Sequence, residues 1–178
     1  LINIAVAYEA LDKPGEAAKY YERLYTEFPD NVFVPYAIYR VAVNSERFFE
    51  FEKASQNYLA FYDRFGKKET PEEVMKAFSG SFVYKEKGAD ALRSGAILLE
   101  NSQDYRKAAD LLATFNQSYP GSPLAAEADL KRGHALDQLG DPRGAARAYL
   151  SSFNLNATGP VAPDALYQLG AALGRLGQ

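Results

Sequence analysis

The sequence predicts an all-α solenoid of about ten antiparallel helices, and three observations lead there. The first is an internal repeat. Asp104, Arg106, Ala108, Ala109, Pro123, Ala125, Ala128, Gly133, Ala135, Leu136, Leu139 and Gly140 recur 37 positions later as Asp141, Arg143, Ala145, Ala146, Pro160, Ala162, Ala165, Gly170, Ala172, Leu173, Leu176 and Gly177, 12 identities in one period. The second is apolar spacing at i, i+3, i+4 and i+7, which puts one face of each segment against a neighbour. The third is punctuation: Lys13-Pro14 and Asp141-Pro142 suit a helix start, and Phe28-Pro29 and Tyr119-Pro120 suit a helix end.

Taken in order, Leu1, Ile4, Ala5, Tyr8 and Leu11 predict a helix within residues 1–12, and Ala17, Tyr21 and Leu24 predict its partner over 14–28, completing a repeat over 1–31. The second repeat, 32–66, opens at Pro35 and carries Ala54, Tyr58 and Phe61 on its second helix. Ala17 to Ala54 and Tyr21 to Tyr58 are again 37 apart, and Gly66 stands where a closing proline is expected. Ala54 to Ala108 is 54 positions, 17 more than one period, so an inserted helix is predicted over about 70–87. Thr70 is its expected N-cap, Pro71 its first residue and Glu73 the second half of a capping box; Val74, Met75, Ala77, Phe78 and Phe82 form its apolar face, with Ser79-Gly80-Ser81 as a weak point. The third repeat, 89–121, pairs helices near 89–101 and 104–119. The fourth, 122–158, starts at Ser122-Pro123, read as a cap and a first-turn proline, and turns at Asp141-Pro142. A half repeat over 159–178 leaves Leu166, Leu169, Leu173 and Leu176 with an uncovered face, an expected contact for more chain or for a homodimer. Leu1 in place of Met, with a repeat cut at each end, reads as an excerpt or a processed piece.

Composition excludes several functions. Of 178 residues, 47% are apolar and 24% charged, as in a folded soluble domain. With 20 basic and 23 acidic residues the net charge is −3, and no basic run exceeds Lys67-Lys68, poor equipment for nucleic acid. Zero cysteines rule out disulfides and thiolate chemistry and suit a reducing or an oxidising compartment alike. No apolar run approaches the roughly 18–20 residues of a membrane span.

The order of small and aromatic residues at Ala5, Tyr8, Ala17, Tyr21 and Pro29 resembles the tetratricopeptide repeat, which implies a right-handed superhelix whose first helices line a groove for a protein or peptide partner. The C-terminal half, Ser118 to Ala128 and Gly159 to Gly170, resembles the periplasmic Tol–Pal-associated coordinator proteins (CpoB/YbgF type). The Phe28-Pro29 and Tyr119-Pro120 closures are similar to those of outer-membrane assembly lipoproteins (BamD type). The N-terminal half, with Ile2 to Glu9 and Ala96 to Asn101, resembles long gliding-motility and envelope tetratricopeptide proteins. These resemblances imply a scaffold of the bacterial envelope with a periplasmic location. Two alternatives stay open: a recombined or designed solenoid with no natural ligand, and an accessory domain of a peptidoglycan-processing enzyme.

Carried over position by position, the groove residues are Ile2, Val6 and Glu9; Tyr39, Val43 and Arg47; Arg93, Ile97 and Asn101; His134, Asp137 and Gln138; and Tyr167. The competing reading is that several of them pack between repeats. If they line a groove, Tyr39→Ala with Arg93→Ala is expected to abolish partner capture and leave the fold intact. Ile2 and Val6 occupy the positions where a carboxylate clamp needs Lys and Asn, which argues against that activity. His134 with Asp137 supplies too few ligands for zinc, so no metal and no other cofactor is expected. Glu72 and Glu73 point about 100° apart on a helix and suit first-turn charge better than acid–base work. Adjacent aromatics at Tyr20-Tyr21, Phe48-Phe49 and Phe61-Tyr62 cannot all face one core, so some aromatic surface is expected to be exposed. No phosphate loop or nucleophile elbow occurs, and the chain reads as no enzyme.

Overall fold

The computed structural model describes residues 1–177, and among them every regular element is helical. In order these are α1 (Ile2–Ala10), α2 (Pro14–Glu27), α3 (Val34–Arg47), α4 (Phe51–Phe61) running into a π-helical turn (Tyr62–Gly66), α5 (Glu72–Ala77), α6 (Tyr84–Asn101), α7 (Tyr105–Ser118), α8 (Ala125–Gln138), α9 (Pro142–Leu155) and α10 (Ala162–Leu176). They form two compact units, Leu1–Leu98 and the residues from Leu99 onward.

Helix ends follow from local chemistry. The residue before a proline is driven out of the α region, and Phe28 (φ −134°, ψ 64°) and Tyr119 (φ −132°, ψ 56°) end α2 and α7 there. Pro14 and Pro142 sit in the first turns of α2 and α9, where a missing N–H removes no helical bond. Asp104 and Asp141 cap α7 and α9 by accepting from the backbone N–H of Lys107 and Gly144.

In the first unit, α1–α2 and α3–α4 are helical hairpins and α2 packs on α3. Ala5, Ala17 and Tyr21 are fully buried between the first two helices. Beside them an aromatic cluster joins Tyr36, Tyr39, Phe61, Phe78, Phe82 and Tyr84, with Tyr36 stacked on Phe78 at 4.5 Å and Phe61 edge-on to Phe82 at 5.7 Å. In the second unit, α7, α8, α9 and α10 pack each on the next, around Leu130, Ala145, Tyr149, Ala165 and Ala172.

The structure departs from the sequence reading at the insertion. The extra helix is only Glu72–Ala77, and by Tyr84 the chain is already in α6. Thr70 caps neither α5 nor a capping box; its hydroxyl accepts from the backbone N–H of Tyr84 at 2.8 Å, serving the start of α6 from 14 residues away. Ser79 and Gly80 take left-handed backbone (φ 50° and 77°) and stop α5, as their weak helix preference suggests. Ser122 likewise caps no helix; it accepts from the N–H of Leu124 inside the turn, and α8 begins at Ala125. Gly66 replaces a closing proline for a spatial reason. A Cβ there would lie 3.0 Å from Gly88 Cα and 2.9 Å from Tyr62 Cδ2, so only glycine lets the two backbones approach. Of the neighbouring aromatics, Phe48 and Phe49 are exposed, as the sequence leads one to expect of some of them, while Phe61 and Tyr62 are both buried because α4 passes into the π-helical turn between them.

Candidate interaction surfaces

In the first unit, Ile2 is half-buried against the α1–α2 core, whereas Val6 is exposed beside it. Glu9, at the end of α1, is committed to its own molecule. Its Oε1 accepts from Arg40 Nε at 2.9 Å and from Asn44 Nδ2, and Arg40 Nη2 stands 2.6 Å away. Tyr39 is packed and not free: its ring meets Tyr58 at 5.8 Å, Phe61 at 5.3 Å and Phe82 at 5.8 Å, with the Lys87 ammonium 5.6 Å from its centre. Burial, reinforced by Asp90, pushes its hydroxyl up to about 12. Val43 is half-buried against the same cluster. Arg47 is exposed and pairs with Asp12 at 2.6 Å across the hairpin ends. Arg93 and Ile97 on α6 are half-buried, and Arg93 Nε has no hydrogen-bond partner among the described residues.

In the second unit, Asn101 and Gln138 are exposed at helix ends and Tyr167 is 74% exposed on α10. His134 lies edge-on to Tyr149 at 5.6 Å, its Nε2 buried with no hydrogen-bond partner among the described residues. Asp137 accepts from the Tyr149 hydroxyl at 2.9 Å and pairs with Arg175 of α10 at 2.6 Å. Burial first, and the Asp137 carboxylate second, push the Tyr149 hydroxyl well above its ordinary value.

The structure thus sorts the groove residues into two kinds. Glu9, Tyr39, Val43 and Asp137 are held inside their units, while Val6, Arg47, Asn101, Gln138 and Tyr167 face solvent. It also assembles a recurring unit that the sequence reading missed. An acid near the end of a first helix and a tyrosine 12 residues later bond as Glu46–Tyr58 (2.9 Å) and Asp137–Tyr149 (2.9 Å). Glu9 and Tyr21 hold the same spacing, but Glu9 is taken by Arg40 and Asn44, and the buried Tyr21 hydroxyl has no hydrogen-bond partner among the described residues. The signal was present in the 37-residue spacing of Glu9 and Glu46. Among the described residues no group of three or more His, Cys, Asp or Glu side chains is placed to hold a metal ion, and no helix is long and apolar enough to cross a membrane.

Comparison with known proteins places these hairpins. Residues 1–31 match the tetratricopeptide repeat family. No match was found among curated proteins. Among solved structures, MamA is similar over 98% of this chain and 85% of its own, at 16% identity and a TM-score of 0.65. The apo form of RapI is similar over 97% of this chain and 46% of its own, at 11% identity and a TM-score of 0.64. A Podosopora anserina putative kinesin light chain with nearly identical TPR-like repeats matches over 99% of this chain and 85% of its own, at 11% identity and a TM-score of 0.60. At such identities the likeness speaks for the fold alone, and that fold is an all-helical repeat of the tetratricopeptide type.

Proposed function

We propose that the chain is a non-catalytic scaffold that binds protein or peptide partners through the solvent-facing side chains of its first helices, in the bacterial envelope. The carrying observation is the sorting of charges. The carboxylates of Glu9, Glu46 and Asp137 are spent on internal bonds, so none of these three offers an acidic recognition group. What faces solvent is a mixture of apolar, amide, aromatic and paired cationic groups, the chemistry of protein contact. Each unit carries its own share: Val6 and Arg47 in the first, Gln138 and Tyr167 in the second. The envelope location follows the resemblance of the C-terminal half to periplasmic coordinators.

The test is affinity capture from a periplasmic extract, comparing wild type with Arg47→Glu and Tyr167→Ser. Loss of the same captured protein with an unchanged melting temperature supports the proposal. Equal capture by both variants, or turnover of peptidoglycan fragments by the chain, overturns it. The exposed leucines of α10, Leu166, Leu173 and Leu176, favour a second reading, a homodimer through that helix. Light scattering across a concentration series, repeated on Leu173→Asp, decides that one.

A further inference from the structure

We infer that the tip of the α3–α4 hairpin is a self-association surface, in which Phe49 of one copy enters the cleft beside Phe48 of a second copy related by a two-fold axis.

The inference starts from the helix ends. Four hairpins turn in the same way, each first helix closed by a backbone bond reaching five residues back. These run from Lys13 N–H to Tyr8 O (2.9 Å), Glu50 N–H to Ser45 O (2.8 Å), Asp104 N–H to Leu99 O (2.8 Å) and Asp141 N–H to Leu136 O (3.0 Å). In each, the residue before the donor is left-handed: Asp12 (φ 54°), Phe49 (φ 63°), Gln103 (φ 63°) and Gly140 (φ 71°). Glycine is the favoured residue at this place and short polar residues are tolerated, whereas a bulky side chain at positive φ is strained. Gly140 and Asp12 respect that preference, and Gln103 departs from it with a flexible polar chain that water solvates. The fourth places a phenylalanine there and leaves its ring in water: Phe49 is 80% exposed, between Phe48 at 54% and Phe51 at 38%. Phe49 buries no core area; its ring meets Phe51 edge-on at 6.1 Å, a contact that still leaves it in water and offsets little of the strain of a bulky residue at positive φ.

The surroundings specify a second copy. A cleft of about 370 Å³ lies between this tip and the α1–α2 turn, walled by Phe48, Pro14, Gly15, Glu50 and Lys53. The Phe48 ring lies over Gly15 so closely that a Cβ there would stand 3.3 Å from it. The surface around Phe49 and Phe51 shares Glu50 and Lys53 with that cleft. A knob and a socket side by side on one patch are what a two-fold contact requires, since each copy then gives and receives the same ring. The charges agree. Lys53 pairs with Glu22, Lys19 with Glu16 and Arg47 with Asp12, all internally. Among the described residues Lys13 on the cleft side has no ion pair and Glu52 on the knob side has only a hydrogen bond from Gln56 Nε2 at 3.3 Å, so the proposed two-fold contact sets opposite charges against each other. Acids and bases alternate around the tip, so it presents no cationic field for an anionic lipid or nucleic acid.

Sedimentation velocity over a micromolar to millimolar range tests this on the whole chain. A concentration-dependent dimer is expected, about tenfold or more weaker in Phe49→Gly, while the melting temperature of that variant rises because the left-handed strain is gone. Phe49→Asn, a residue at home in that region, gives the same result without a glycine's freedom. Lys13→Glu weakens the dimer and Lys13→Glu with Glu52→Lys restores it. Three results overturn the proposal: a monomer throughout the range, a dimer indifferent to Phe49→Gly and lost in Leu173→Asp, or Phe49-dependent binding of a monomer to phosphatidylcholine vesicles.

Discussion

Gly133 and Gly170 occupy one register of the repeat, 37 residues apart, and the structure assigns the same substitution opposite signs at the two. A Cβ on Gly133 would lie 2.3 Å from Tyr149 Cε1 and 2.5 Å from Cδ1. That ring is fully buried and its hydroxyl donates to Asp137 at 2.9 Å, so it cannot swing aside without breaking the bond. Overpacking costs roughly 1–3 kcal/mol and loss of a bond to a charged acceptor about 1.5–3 kcal/mol, while replacing a helical glycine by alanine returns about 1 kcal/mol. Gly133→Ala is therefore expected to destabilise by about 2–4 kcal/mol. Ala5 and Ala42 face the equivalents Tyr21 and Tyr58, so a hairpin of this kind can house both residues when its helices stand slightly apart, which bounds the cost. At Gly170 a Cβ would meet nothing within 4 Å. Gly170→Ala is expected to stabilise by about 0.5–1 kcal/mol. Urea unfolding followed by circular dichroism reads both as midpoint shifts at constant slope. Adding Tyr149→Leu to Gly133→Ala, which reproduces the pair Ala96 and Leu112 of the third repeat, is expected to recover part of the loss. A neutral or stabilising Gly133→Ala, or equal shifts at the two sites, would refute the reasoning.

The fold should also fail in alkali. Burial, with Glu73 adding to it, raises the Tyr84 hydroxyl to about 12, and Tyr39 stands at about 12 for like reasons. A raised native value means stability is whole below an unfolded tyrosine's pKa of about 10 and is lost as pH climbs from there through about 12, by roughly 2–3 kcal/mol at Tyr84. A melting temperature that is flat over that window contradicts this, and Tyr84→Phe should remove part of the slope. Asp141→Ala deletes the acceptor for Gly144 N–H (2.8 Å) and is expected to lower stability by about 1 kcal/mol, measured by denaturant titration. Tyr39→Ala empties a site bounded by Tyr58, Phe61 and Phe82 and is expected to cost about 3–5 kcal/mol. Paired with Arg93→Ala it would report folding and not capture, so the binding test belongs to the exposed Arg47 and Tyr167.

Much of the fold was legible in the residues. The starts at Pro14 and Pro142, the stops at Phe28 and Tyr119, and the Asp104 and Asp141 caps are decided within a few residues, by proline's fixed φ and by carboxylates within reach of their own backbone. The 37-residue period carried the hairpins, because the same contacts recur wherever the same small and aromatic residues do. Thr70 and Ser122 show where that logic ends. Each has the look of a local cap, yet Thr70 serves a helix start 14 residues on and Ser122 a turn that precedes its helix.

Outside the insertion over 70–87, sequence alone thus determined which segments are helical, where they turn and that small residues face aromatic ones, since these depend on backbone preferences and on neighbours three or four residues apart. Tertiary structure alone decided which polar groups are spent and which are free. Glu9 is claimed by a residue 31 positions away and Asp137 by one 38 positions away, while Phe49, in a turn that spacing made look like the others, is left in water. Those outcomes depend on distances between helices far apart in sequence, which no local pattern encodes.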